Sequence, residues 1–315
     1  MTRSTGPLSD RLSRLERTPW RVAAQRVYAA TQRGAERIGV HLLRASYDSP
    51  IPRLSRLDGE AFSRESPMRG IAWDPDAQMD FVETQLGPYL REFSTAPAAG
   101  PDVPPGTFHL DNQTYDRVDA ELLYAMLRWS KPRRYVELGS GHSTLVAAEA
   151  LAANAPDGSP GEIDCFDPYP SAHVLARADL GVRIREVPVQ ELPEAELSGL
   201  AAGDVLFVDT SHTVKLGGDV NRIVLDLLPL LAPGVIVHFH DIFLPRDYSR
   251  GHLSDGHYWN EQYLVQAYLA ENPRWEVLVG AQAVALRHPA RLGALIPSFR
   301  EGVSPGALWI RRRDG

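Results

Sequence analysis

The chain has a single cysteine, Cys165, in 315 residues. A disulfide framework within it is excluded, which suits a reducing compartment. Cys165 falls inside a run that reads as strand, so a small buried hydrophobe is expected rather than a reactive thiol. Long apolar runs are also missing. Nothing approaches the ~20 apolar residues that span a bilayer, and the N-terminus lacks the apolar core of a secretory signal. The reading is therefore a cytoplasmic protein with no transmembrane segment. A basic excess is absent too: the net charge of −7 argues against a nucleic-acid partner. There are no internal repeats. What remains is an ordinary globular composition, 43% apolar, in a length that suits one large domain with an extension.

The first 50 residues differ from the rest. They carry nine arginines against four acids. Arg11 through Arg44 alternate with Leu12, Leu15, Trp20, Val22, Val27, Tyr28, Ile38, Leu42 and Leu43. This predicts one or two basic amphipathic helices, which would pack on the body or meet an acidic partner. A helical pattern also runs from Pro75 to Phe93, with a kink or break expected at Gly87-Pro88. Residues 94–106 are rich in Pro, Ala and Gly and read as a linker. The expected division is an N-terminal helical extension and linker over 1–106, then a catalytic domain over 107–315. The extension is a plausible homo-oligomer element.

From residue 107 on, helix and strand patterns alternate. A helix is predicted over 117–129. Strands are predicted near 134–138, 162–167, 182–187, 204–209 and 235–240, then over 275–286 and 307–311. Between the fourth and fifth, Leu216, Val220, Ile223, Val224, Leu227, Leu228 and Leu231 share one side of a helix. Such alternation builds an α/β fold with a mainly parallel sheet covered by helices.

The stretch 135–144, YVELGSGHST, reads as a buried strand, a glycine-rich turn and a helix start. Glycines let backbone approach a ligand, and free N–H groups at a helix start favour polar or anionic atoms. Open α/β sheets hold nucleotide-like cofactors in this way. Asp167 ends the second strand, where an acid can accept hydrogen bonds from two ribose hydroxyls. Asp209 and His212 follow the fourth strand, and His240-Asp241 ends the fifth. All four lie at strand tips on the ligand side of such a sheet.

Taken together, VELGSGHST at 136–144, DCFDPYPS at 164–171, LFVDTSHTVKLGGDV at 206–220, LLAPGVIVHFHDIFLP at 230–245 and YWNEQYLVQAYL at 258–269 resemble the class I S-adenosylmethionine-dependent methyltransferases. The likeness is to the group close to catechol O-methyltransferase, including methyltransferase family 24, and covers about residue 108 to the end. It implies a Rossmann-like fold: a mainly parallel seven-stranded sheet whose last strand inserts antiparallel. It implies S-adenosyl-L-methionine held by Gly139, Ser140 and Gly141, with Ser143 and Thr144 adding hydroxyl bonds. Glu137 would orient the amino group or bond to backbone. Asp167 would take the ribose. Asn112 and Tyr115 either cover the site or, for Asn112, cap a helix.

In catechol-type enzymes the later strand tips hold magnesium and a catalytic lysine. By that resemblance Asp209 and Asp241 fit metal positions, and His212 stands where the lysine would be. Neutral imidazole can accept a proton near pH 7. The chain departs from the pattern at His240, where aspartate is expected. Magnesium prefers oxygen ligands, and imidazole suits manganese and other transition metals better. Two readings therefore stay open. Asp209, His240 and Asp241 hold a divalent cation, or His240 and Asp241 hydrogen-bond to each other or to the cofactor's surroundings. His238 reads as a packed histidine. Trp259, Asn260 and Glu261 lie where an acceptor-binding lid would sit, or simply dock a helix.

The expected function is methyl transfer to a small hydroxylated molecule, with His212 and Asp209 as catalytic residues. A nicotinamide-dependent oxidoreductase is the rival. Against it, Thr144 replaces the third glycine of G-x-G-x-x-G, and Asp167 follows Gly139 by 28 residues rather than about 20. A non-catalytic binding module with the same fold is a third reading. The acceptor's identity, and O- against N-methylation, are not legible.

Overall fold

A computed structural model describes residues 19–93, 103, 104 and 106–314. The predicted linker and the start of the predicted basic helical segment fall largely outside these. Contacts divide the chain into two compact units, Met1–Arg56 and Leu57–Gly315. The first contains the helix Pro19–Glu36. There the Tyr28 hydroxyl and the Gln32 amide donate to the Leu42 carbonyl, folding the following loop back on the helix.

The second unit is built on a seven-stranded sheet: β1 (Arg134–Leu138), β2 (Glu162–Phe166), β3 (Arg183–Arg185), β4 (Val205–Val208), β5 (Ile236–Phe239), β6 (Trp275–Gly280) and β7 (Leu308–Arg312). Their order is β3-β2-β1-β4-β5-β7-β6. Neighbours from β3 to β5 are parallel, and β7 runs antiparallel to both β5 and β6. This is the sheet that the sequence implied. Strand order reverses between β1 and β4, which opens a crevice at their carboxyl ends.

Side chains sort by period two, as pleating dictates. Tyr135, Cys165, Phe207, Ile236 and Trp309 join one core with the helices Asp119–Ser130 and His142–Asn154. Val136, Leu138, Leu206, Val237 and Ile310 join the other, with Val220, Ile223, Val224 and Leu227 from the helical run 219–230.

The expected boundary near residue 107 falls inside this unit. The helix Pro75–Phe81 and the turns after it bury Met79, Val82 and Leu86 in the first core. The Gln78 side chain also accepts from Gly280 N–H at 2.9 Å. No break occurs at Gly87-Pro88. The preceding turn, Val82–Leu86, widens to π geometry and the helix resumes over Gly87–Leu90. Proline has no N–H to give to an α-helical bond, and a wider turn accommodates that loss.

Residues 275–286 are not all strand: β6 ends at Gly280, and Ala281–Arg287 is helix. An apolar run does not distinguish buried strand from buried helix, and its three alanines favour helix. Leu216 is exposed, because the helix begins only at Asp219, after Gly217 at φ +68°. The helix predicted from 117 starts at Asp119, where Val118 turns into the left-handed region at φ +63°.

Candidate active site

β1 delivers Gly139 into the crevice at φ +92°. A Cβ there would lie 2.0 Å from the Asp209 carbonyl oxygen, so only glycine lets the β1 and β4 tips meet. The next residues fold around Asp167. Its Oδ2 accepts from the Ser140 N–H and hydroxyl, both at 2.8 Å, and its Oδ1 accepts from Tyr169 N–H at 2.8 Å. Gly139, Ser140, Asp167, Val189, Asp209 and Ser211 line a cleft of about 560 Å³.

Glu137, Ser143 and Thr144 are not in the lining of that cleft. They lie beneath the turn and shape it. The Ser143 hydroxyl donates to Glu137 at 2.5 Å, the Cys165 thiol donates to the other Glu137 oxygen at 3.3 Å, and Thr144 Oγ1 accepts from Gly141 N–H at 3.0 Å. Burial raises the Glu137 pKa to about 8, against the hydrogen bonds from Ser143, Thr144 and Cys165. Cys165 is buried and free, as read.

Asn112 does not cap the helix. Its Oδ1 accepts from Thr114 and Tyr115 N–H, and its amide donates to the His109 and Tyr115 carbonyls, tying the loop before the helix. Tyr115 is 2% exposed, and its ring packs 4.8 Å from that of His240.

The strand tips converge as expected. His212 Nε2 lies 3.1 Å from Asp209 Oδ1 and 3.5 Å from Asp241 Oδ2. His240 Nδ1 lies 3.3 Å from Asp209 Oδ2 and 3.6 Å from Asp241 Oδ2. Both His212 (φ +53°) and Asp241 (φ +55°) hold left-handed backbone, a strain that clusters at functional sites.

Burial disfavours charge on His212, yet bonds to Asp209 and Glu261 outweigh it and raise its pKa to about 10. His240 is raised likewise, against burial, by Asp241 and Asp209. Asp209, which burial alone would raise, is instead held well below the carboxylate range by His240 and His212. These carboxylates favour the imidazolium form of His212, where the sequence suggested a neutral base. Opposed charges crowd the strand tips and hold it so.

Asp209, His240 and Asp241 can each offer one ligand atom, with those atoms all within 4.8 Å of one another. His240 Nδ1 is buried with no hydrogen bond among the described residues, despite the nearby carboxylates. An imidazole nitrogen left over between two carboxylates fits a cation site.

His238, two residues before, is fully buried between Phe207 and Trp309, both rings at 4.4 Å. Neither nitrogen has a hydrogen-bond partner or a carboxylate within ion-pair distance among the described residues, and the flanking rings make it a packed histidine.

The predicted lid segment is anchored to His212. Asn260 and Glu261 N–H groups donate to the His212 carbonyl at 3.0 and 3.1 Å, and Asn260 Oδ1 accepts from Val214 N–H at 2.5 Å. The Glu261 carboxylate, 1% exposed, meets His212 Nδ1 at 2.9 Å. Trp259 packs 4.6 Å from His212, and His257 stacks on Trp259 at 4.6 Å and 7°.

Asp119 carried no sequence signal. It sits at a helix start and reaches the site through His240, 3.6 Å away. Only the tertiary fold, which sets this helix start against the Gly306 and Ala307 backbone before β7, brings the two together.

Residues 136–242 match the family described as methyltransferase domain. An uncharacterised protein of Archaeoglobus fulgidus is 28% identical over 159 residues, 48% of this chain and 68% of that one. Among solved structures, the O-methyltransferase from Bacillus cereus in complex with SAH is 16% identical, at a TM-score of 0.38, over 74% of this chain and 96% of that one. The plantazolicin methyltransferase BpumL, in complex with SAH and a desmethylPZN analogue, is 11% identical at a TM-score of 0.37, over 75% and 99%. The family match, over residues 136–242, favours the methyltransferase reading over the nicotinamide one.

Proposed function

We propose that this class I S-adenosylmethionine-dependent methyltransferase moves its methyl group onto a hydroxyl of a small molecule. The observation that carries the proposal is the convergence of His212 Nε2 on Asp209 and Asp241 while Glu261 grips its Nδ1. A base held at one nitrogen and aimed with the other is the arrangement general-base catalysis uses.

The cofactor would lie in the cleft, its methionine part against Gly139–Gly141 and its ribose hydroxyls on Asp167. In the transfer the S–CH₃ bond breaks as the O–CH₃ bond forms. The sulfonium would become a neutral thioether and the hydroxyl proton would pass to Nε2 of neutral His212, a form that a cation offsetting the Asp209 and Asp241 carboxylates would favour. Glu261 fixes the ring's orientation and stabilises the imidazolium that results. Alignment of oxygen, methyl and sulfur supplies much of the acceleration. Trp259, stacked on His257, would exclude water from the acceptor.

Asp209, His240 and Asp241 would hold a divalent cation. There it would offset the charge of the two aspartates and supply Lewis acidity that lowers the pKa of the acceptor hydroxyl. The single imidazole favours manganese or another transition ion over magnesium.

The test is calorimetric titration of metal-free protein with S-adenosylhomocysteine, repeated with Mn²⁺ or Mg²⁺. Micromolar binding without metal is expected. A further change on adding metal should vanish in Asp209→Ala. His212→Gln should keep cofactor affinity while methyl transfer from labelled cofactor to a panel of phenols and alcohols falls at least ~100-fold. No binding under any condition would sink the cofactor assignment. Full transfer in His212→Gln would sink the base.

A further inference from the structure

We infer that Asp119 is a positioning residue for His240, holding its ring so that Nδ1 is available to a transition cation between Asp209 and Asp241. This rests on the cation reading above and extends it to a residue outside the ligand set.

Asp119 is buried and its carboxylate fixed at both oxygens: Oδ2 accepts from Gly306 N–H at 2.8 Å and Oδ1 from Ala307 N–H at 3.1 Å. Its Oδ2 stands 3.6 Å from His240 Nε2, an ion-pair separation rather than a hydrogen bond. The ring is held on its face as well, by Tyr115 at 4.8 Å, and the Tyr115 hydroxyl donates to the Asp119 carbonyl at 3.1 Å. Val118, β-branched and at φ +63°, takes a strained backbone just before Asp119.

The same carboxylate also braces Asp241. Gly306, which it grips, accepts from Ile242 N–H at 2.8 Å, and a Cβ on Gly306 would lie 3.0 Å from Asp241 Cα.

An imidazole that ligates through one nitrogen must carry its proton on the other. A fixed carboxylate beside the second nitrogen selects that tautomer and sets the ring's orientation. An oxygen ligand at 240 would have no use for such a partner. Asp119 and His240 therefore form one device, which fits a cation that accepts nitrogen.

The experiment uses Mn²⁺ and the full chain stripped of metal. Wild type, Asp119→Asn, His240→Asp and the double variant are each titrated with Mn²⁺, and with S-adenosylhomocysteine as a check on folding. Pulsed EPR of the Mn²⁺-loaded proteins reads nitrogen coupling from a coordinated imidazole. Asp119→Asn should weaken Mn²⁺ roughly 10–100-fold and diminish the nitrogen coupling, with homocysteine-analogue binding unchanged. In the His240→Asp background it should cost nothing further, because its effect runs through the ring. An equal loss in both backgrounds, or intact nitrogen coupling in Asp119→Asn, would overturn the inference. Absence of nitrogen coupling in wild type would overturn it without any variant. Failure of wild type to bind Mn²⁺ at all would overturn the cation reading itself, an outcome distinct from tight binding indifferent to Asp119.

Discussion

Burial beneath the glycine turn keeps Glu137 protonated in the folded protein up to about pH 8. An unfolded glutamate releases that proton near pH 4.5. Its folded pKa is raised, so its stabilising contribution is complete below about pH 4.5 and is lost as pH climbs through about 8. Glu137→Gln keeps the shape without the proton. The variant should gain stability relative to wild type from pH 5 to pH 8, by up to ~1.4 kcal/mol per pH unit, and hold that gain above. Urea unfolding at pH 5, 6.5 and 8 reads it; parallel curves at all three would contradict a buried, proton-bearing Glu137. Other single residues were only partly legible. Asp209, His240 and Asp241 were named from strand-tip position, and they do come together. Glu137, Ser143 and Thr144 were named as cofactor contacts from the motif. They are buried and bonded to one another and to the turn, a packing that a motif does not record, because it says which residues share a turn and not which way they point.

The β1 turn acts as a joint between two strands. Gly139→Ala would force its Cβ into the Asp209 carbonyl, which belongs to backbone and has little room to yield. The variant should lose several kcal/mol of stability, roughly the range of severe backbone and overpacking changes. S-adenosylhomocysteine affinity should fall with it, since the β4 tip must shift. Thermal unfolding and calorimetry check both; a variant of wild-type stability and affinity would show that the tips can separate freely. Strand and helix order was readable because apolar runs of strand length alternate with helical spacing. The exceptions share one cause: periodicity says nothing where a run is apolar on every side. Residues 277–286, apolar but for Gln282, are such a run, and from Ala281, where alanines recur, they are helix. The irregularity expected at Gly87-Pro88 takes the form of a π turn over Val82–Leu86 rather than a break, and a π turn has no sequence pattern of its own.

At the scale of the whole molecule, no helix of the described residues is long and apolar enough to cross a membrane. The helix Pro19–Glu36 and the loop after it leave Val27, Ile38 and Leu43 at 66%, 79% and 51% exposed. Apolar side chains left open on a basic segment suit contact with a second copy. Light scattering should find the full chain dimeric and a chain lacking residues 1–50 monomeric, with cofactor affinity retained. The same mass in both, scaled only for length, would exclude the segment as the dimer element.

Residues 306–312 close the sheet from within, since β7 lies between β5 and β6 and the stretch before it clasps Asp119. During synthesis every other strand leaves the ribosome first. Until this last segment follows, β5 and β6 each offer an open edge, Leu308, Trp309 and Ile310 have yet to fill the core, and His240 has no brace. A chain made only as far as β6 is therefore exposed to edge-to-edge pairing until β7 follows.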